Sequence, residues 1–452
     1  MPITDIALPR RPRRDDLAAL LLILFAFAAW NLTGLANVAL ALLVLLLILD
    51  LPGQWTRLRR DPGIWLLVLG AVLTIALAWR AAIELPQTAE QQWSAVSGWL
   101  RPLLFVVIAW WLREDRRRVG WVLIAATLGL LVGVLRRADG ADVAAILALL
   151  QGQVGFGARG DFGQAALALG FIASIALLGL FIFHREILNP RIAPRPPPIL
   201  MGALWIGALL FFLIVLLVTQ ARGATLTLAL VVVALLIHRA GRGGAERTSR
   251  RGHPARAPLI GLLTAAAIAG VLWSSSDRIT TDLAALTQAS EAGHYSYDSS
   301  IGTRLNLYRI GADLIAERPL LGWGPGTSGT RDLVPAGVIA LSEHDRVNVP
   351  QWAHLHSTPV EILVRFGALG LVFALLFVLL MARHLWIIQR RGDLDPALRR
   401  FLILGTLMTC LYSLYDFRLA NLDIGLFFVL FFGILHALGM SRGDADPPGD
   451  KR

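Results

Sequence analysis

Two histidines, His354 and His356, stand two residues apart in HLHSTPVEILVRFG, just ahead of a stretch that reads as a helix start. Thr358 followed by Glu361 fits a capping box, and Pro359 suits the first helical position, where a missing N–H costs nothing. The spacing predicts a helix from Thr358, with both imidazoles beside its positive end and Glu361 occupied by capping. Free backbone N–H groups at such an end attract anions such as phosphate. An imidazole, with an ordinary pKa of about 6.5, suits general-base duty at working pH. Two histidines can also ligate a metal, but the nearest acids, Asp345 and Glu361, complete no ligand set, so we expect none.

Arginines supply the second kind of chemistry. Arg222 and Gly223 lie in LLVTQARGATLTL, at the junction of two apolar runs and beside Gln220. An arginine near membrane depth needs a partner or a wet cavity. It serves either as a ligand contact or as a snorkelling anchor, and Gly223 would let a ligand approach the backbone. Arg304 and Arg309 flank the seam Ile301, Leu305, Tyr308, Ala312 and Ile315, whose 4-3-4-3 spacing predicts an amphipathic helix ended by Pro319 and GWGPG. The planar guanidinium fork matches phosphate oxygens and keeps its charge, although single exposed arginines are also ordinary surface groups. Arg159, Asp161, Gln164, Arg365 and Arg418 could line the same cavity or anchor helix ends.

The elements that hold these residues are membrane spans. Of 452 residues, 56% are hydrophobic and only 16% charged, and mean hydropathy is +0.64. Apolar runs of roughly the ~20-residue spanning length recur throughout. We read about twelve, near 16–32, 34–50, 64–80, 101–112, 119–135, 163–183, 199–219, 224–238, 258–273, 358–383, 400–415 and 422–439. With a cytoplasmic N-terminus, the inside segments and their edges hold 28 of the 42 lysines and arginines, and both ends fall inside. The net charge of +11 is therefore a topology signal, and we expect contact with membrane lipids and no nucleic acid. The N-terminal arginines lead into a span without an A-x-A-type site, so no cleaved signal peptide is expected. The single Cys410 excludes a disulfide framework or thiolate cluster. The stretches 189–198 and 239–252 read as loose cytoplasmic linkers, and tryptophans near span ends, Trp273 among them, as the aromatic belt.

Chemistry then belongs on the outer side. The long outer segment, 274–357, carries six arginines against nine acids up to Gln351, so its arginines are not a generic basic surface. The implied organisation is nine spans within 1–273, a large loop at 274–357, three spans within 358–439 and a tail at 440–452.

Several stretches together resemble the O-antigen ligase/polymerase superfamily. His356-Ser357-x-x-x-Glu361 with Gly367 and Gly370 is similar to its HN-x-x-x-E…G-x-x-G signature, with Ser357 where asparagine is common. Arg304–Tyr308 and then Pro319–Gly326 resemble its R-x-x-x-Y/W…P-x-x-G-x-G-x-G stretch, and Arg222-Gly223 its arginine–glycine motif. The resemblance implies an all-α polytopic membrane protein of the C-type glycosyltransferase architecture, with a large periplasmic loop containing amphipathic helices. It implies a metal-independent, cofactor-free O-antigen ligase of a Gram-negative inner membrane. The donor would be a glycan on undecaprenyl pyrophosphate and the acceptor a lipid A–core sugar. Carried over by position, Arg222 and Arg304 would clamp pyrophosphate and His356 would be the base. We expect His354, Arg309, Tyr308, Gln220, Arg159, Arg365 and Arg418 to contact substrate, in a monomer that inverts the anomeric carbon. An O-antigen polymerase and a protein O-oligosaccharyltransferase share the donor and stand as alternatives. A transporter is the alternative of another class, but no inverted repeat supports it.

Overall fold

A computed structural model describes residues 14–113, 116–151, 159–190, 196–243, 295–297, 299–326, 333, 341–349, 352 and 354–440. The expected span at 258–273, Trp273, the tail after Met440, half of the stretch 189–198, most of 239–252 and much of the long segment 274–357 lie outside these residues. The described residues are helical, without strands. The helices are α1 (Arg14–Ala28), α2 (Thr33–Leu58), α3 (Pro62–Glu84), α4 (Ala89–Leu100), α5 (Phe105–Leu112), α6 (Arg116–Arg137), α7 (Gly140–Leu150) and α8 (Ala166–Ile182). There follow α9 (His184–Leu188), α10 (Pro198–Val218), α11 (Arg222–Gly243), α12 (Ser300–Glu317), α13 (Glu343–Asn348), α14 (Thr358–Arg390), α15 (Pro396–Tyr415) and α16 (Leu422–Gly439).

Among the described residues, eight helical stretches are long and apolar enough to cross a membrane: α2, α3, Pro86–Leu112, α6, α10, α14, α15 and α16. The chain is an all-α, multi-pass membrane protein. The fourth span begins well before the expected 101, because α4, a 3₁₀ turn and α5 run on from Pro86. The segment after α6 contains a short helix, α7, started by an Asp139–Asp142 capping box.

Helix starts follow local chemistry. Asp61 caps α3 through Gly63 N–H at 2.8 Å, with Pro62 next, and Asp395 caps α15 through Ala397 N–H at 2.7 Å, with Pro396 next. Helix α16 is buried along nearly its whole length and packs most extensively against α5. Around this axis α1, α2, α6, α8 and α15 close the main apolar core, while α3, α10 and α14 turn Val72, Leu204 and Leu379 outward, as lipid-facing helices do.

Two polar systems tie the ends of the bundle. At one end, a buried chain links Asp61, His436 and His384, with contacts of 2.9 and 2.7 Å joining the start of α3, α16 and the far half of α14. At the other end, α12, the loop after it and the start of α14 form a second small core around Leu307, Ile310, Trp323, Leu355 and Val364. This end carries the sequence motifs.

Candidate functional site

Helix α14 is broken at Gly367, whose φ of 62° and ψ of −159° suit glycine alone. A break frees backbone groups that must find partners inside a membrane protein. The loop Pro319–Gly326 supplies them. Trp323 and Gly324 donate to the carbonyls of Val364 and Arg365 at 2.9 and 2.8 Å, and Ala368 and Leu369 donate to Pro319 and Leu320 at 2.8 and 3.2 Å. The loop backbone is thus spliced into the helix. Gly322 (φ 61°) and Gly367 lie where a Cβ would collide with the opposite backbone, which explains both glycines.

The histidine loop is anchored from below. Glu361, fully buried, accepts from Leu355 N–H and from Arg365 Nε, both at 2.6 Å. Arg365 also donates to Pro325 O at 2.5 Å, so its guanidinium ties the histidine loop to the spliced loop. The expected capping box is not formed. Helix α14 starts at Thr358 as expected, but its N-cap is Ser357, with no side-chain bond there, while Thr358 Oγ1 donates to Asp416 O at 2.9 Å. The carboxylate does hold a backbone N–H, but that of Leu355, because its pairing with Arg365 turns it inward.

His356 lies above this anchor in left-handed backbone (φ 54°), unusual for a residue with a side chain. Its carbonyl accepts from Tyr308 OH at 3.2 Å, and its N–H donates to His354 Nδ1 at 3.3 Å. The imidazole rings meet edge to face at 4.2 Å, and Trp352 flanks His356 at 5.2 Å. His356 Nδ1 is buried and faces Asp416 Oδ1 at 3.7 Å, longer than a hydrogen bond. Asp416 is buried and accepts from Tyr412 OH at 2.6 Å, Phe417 N–H at 2.9 Å and Arg418 Nε at 3.1 Å. Burial would raise the Asp416 carboxyl, but His356, Arg418 and Tyr412 together hold it well below the usual range. Burial and then the neighbouring His356 push His354 down to about 3, so it is a neutral imidazole.

The arginine motifs converge from two sides. Arg304 donates to Ser300 O at 3.0 Å and Ser300 Oγ at 2.5 Å, and its charge acts on both Tyr308 and Tyr415. Burial raises the Tyr308 hydroxyl, so Tyr308 remains a neutral donor. Tyr415 OH bonds Gly223 O, next to Arg222 at the start of α11. The Tyr415 ring packs where a Gly223 side chain would be, with Cζ 2.9 Å from the Cβ position. The glycine therefore admits the Tyr415 ring. Gln220 takes left-handed backbone (φ 49°), and its carbonyl receives Arg159 Nη2 at 3.3 Å.

The buried face of α12 is Thr303, Leu307, Ile310 and Leu314, one face round from the expected seam, whose Ile301 and Ala312 are exposed. Tyr308, on the partly buried flank of that face, reaches the His356 carbonyl. Arg309 turns away and pairs with Asp345, which Tyr297 and Ser342 also hold at 2.7 Å. Asp161 and Gln164 line a separate polar cavity of about 460 Å³ with Thr33, Arg137 and Asp423. Sequence reasoning treated Arg418 as one side chain of a short loop and missed Asp416, Tyr412 and Tyr415. The signal was present in YSLYDFR, a tyrosine-flanked acid at the end of an apolar run.

No curated protein matches the chain. Residues 207–375 match the Wzy_C family, described as O-antigen ligase. The matched region contains Arg222, Arg304, Tyr308, His356, the anchoring Glu361–Arg365 pair and both halves of the loop-to-helix splice. Over residues 207–375 the comparison supports the resemblance to the O-antigen ligase/polymerase superfamily.

Proposed function

We propose that this protein is an O-antigen ligase, transferring a glycan from undecaprenyl pyrophosphate to a sugar hydroxyl of the lipid A–core. The observation that carries the reading is His356, backed by the buried Asp416 and joined through Tyr308 to the arginine-bearing helix α12. The charge distribution supports cytoplasmic termini and a periplasmic site in a Gram-negative inner membrane.

In this reading Asp416 keeps the proton of neutral His356 on Nδ1, leaving the Nε2 lone pair free as base. Nε2 takes the proton of the acceptor hydroxyl as its oxygen bonds the anomeric carbon. The bond from that carbon to the phosphate oxygen breaks with its electron pair, releasing undecaprenyl pyrophosphate and inverting the centre. Arg222 and Arg304 offset the charge that develops on the leaving group. The 3.7 Å His356–Asp416 separation shortens in the substrate complex, as catalytic hydrogen bonds commonly do. His354, neutral at working pH, positions the His356 backbone.

The test is a Gram-negative host whose own chromosomal copy carries His356→Ala. Full-length polymer stranded on undecaprenyl pyrophosphate, with bare lipid A–core, is the expected result. Core capped by a single repeat would make the protein a polymerase, and normal capped lipopolysaccharide would remove His356 from the chemistry.

A further inference from the structure

The sequence offered two histidines and no acid to complete a ligand set; the fold supplies one, sixty positions downstream. One nitrogen from each of His354 and His356 and one oxygen of Asp416 all lie within 4.8 Å of one another, the only such group of three among the described residues. We propose that these three side chains form a binding site for a transition-metal dication of the Zn²⁺ class, and that its occupation switches the protein off.

Four observations carry the site. First, the donors converge: the imidazoles meet edge to face at 4.2 Å, and His356 Nδ1 stands 3.7 Å from Asp416 Oδ1. Tetrahedral zinc with bonds of about 2.0–2.1 Å places its ligand atoms about 3.3 Å apart, so modest ring rotations close the tripod. Second, His356 Nδ1 is buried and has no hydrogen-bond partner among the described residues, an unsatisfied group a ligand would satisfy. Third, Asp416 Oδ2 is held by Tyr412 and Arg418, which fixes the carboxylate with Oδ1 toward His356. Such outer contacts orient metal ligands. Fourth, two imidazoles and one carboxylate select zinc-like cations over Mg²⁺ or Ca²⁺, which prefer oxygen.

The second histidine pair shows what such a site is not. His384, His436 and Asp61 are strung in a line, and the facing atoms already bond one another at 2.7 and 2.9 Å. No point between them is open to a cation.

Inhibition follows from the imidazole itself. A neutral ring has one lone-pair nitrogen, and a metal on either nitrogen takes the pair that would accept the hydroxyl proton. This consequence, unlike the site, rests on reading His356 as the base.

The experiment titrates Zn²⁺, and Co²⁺ as a spectroscopic stand-in, into the detergent-purified chain isolated through a histidine-free tag. Calorimetry should give one Zn²⁺ per chain, and Co²⁺ a visible tetrahedral ligand-field band. Affinity should fall at least tenfold in both His354→Asn and Asp416→Asn, with melting temperatures confirming that each variant is folded. No stoichiometric binding to the unaltered protein, or undiminished binding in both variants, would overturn the site. Glycan transfer should stop with saturating Zn²⁺ and return with EDTA. Saturable binding with undiminished transfer would uphold the metal site and count against His356 as base.

Discussion

Asp416 turns one oxygen to His356 while Tyr412 and Arg418 hold the other, which in the proposed mechanism makes it the orienting partner of the base. Asp416→Asn should therefore lower kcat for glycan transfer by about 10²-fold while leaving the donor KM within about threefold, as loss of general-base support does. A matching rise in KM with kcat intact would make Asp416 a binding residue. His354 makes a prediction about stability. Its folded pKa of about 3 lies below the ordinary 6.5, so between those values the unfolded chain binds the extra proton. Stability contributed by a neutral His354 is thus complete above pH 6.5 and falls as pH drops toward 3. Melting in detergent at pH 7.5 and 5 should show a smaller acid loss in His354→Gln than in the unaltered protein; equal losses would contradict this. At this scale the sequence revealed the titratable groups of its own local motif, His354 and His356. It could not reveal Asp416, because nothing in a short loop between two spans announces which distant histidine it will face.

At the scale of elements, the decisive feature is the splice of Pro319–Gly326 into α14 at Gly367. The glycine spacing was visible in the sequence, but its reason was not, since it requires two backbones from segments over forty residues apart to touch. Gly367→Ala places a Cβ against the Leu320 backbone and forces a conformation that costs alanine about 1–3 kcal/mol. The melting temperature should fall by several degrees, whereas Gly392→Ala, where a Cβ meets nothing within 4 Å, should leave it unchanged. Glu361 was misread for a different, local reason. The pattern placed it in a capping box with Thr358, but Arg365, one turn on in the same helix, and the Leu355 N–H hold the carboxylate. The seam of α12 was displaced by tertiary packing. Both faces carry apolar residues at helical spacing, and only the core under the loop decides which is buried.

For the whole molecule, hydropathy was sufficient to read an all-α multi-pass chain, because length and apolarity alone specify a span. Span starts were less legible where a 3₁₀ turn continues a helix, as between α4 and α5. Arginine distribution sets the proposed orientation, and a labelling experiment checks it. In a Cys410→Ser background, Ala316→Cys on the exposed side of α12 should react with an impermeant maleimide in intact spheroplasts. Gly392→Cys, between α14 and α15, should react only after lysis. The reverse pattern would place the His356 site in the cytoplasm and exclude a periplasmic acceptor. The most direct test of the central claim is transfer by the purified protein in liposomes, given undecaprenyl-pyrophosphate-linked glycan and lipid A–core. The unaltered protein should move the glycan onto the core with inversion at the anomeric carbon, and His356→Gln should be slower by about 10²–10⁴-fold. Transfer at an undiminished rate by His356→Gln, or none by the unaltered protein, would contradict the account.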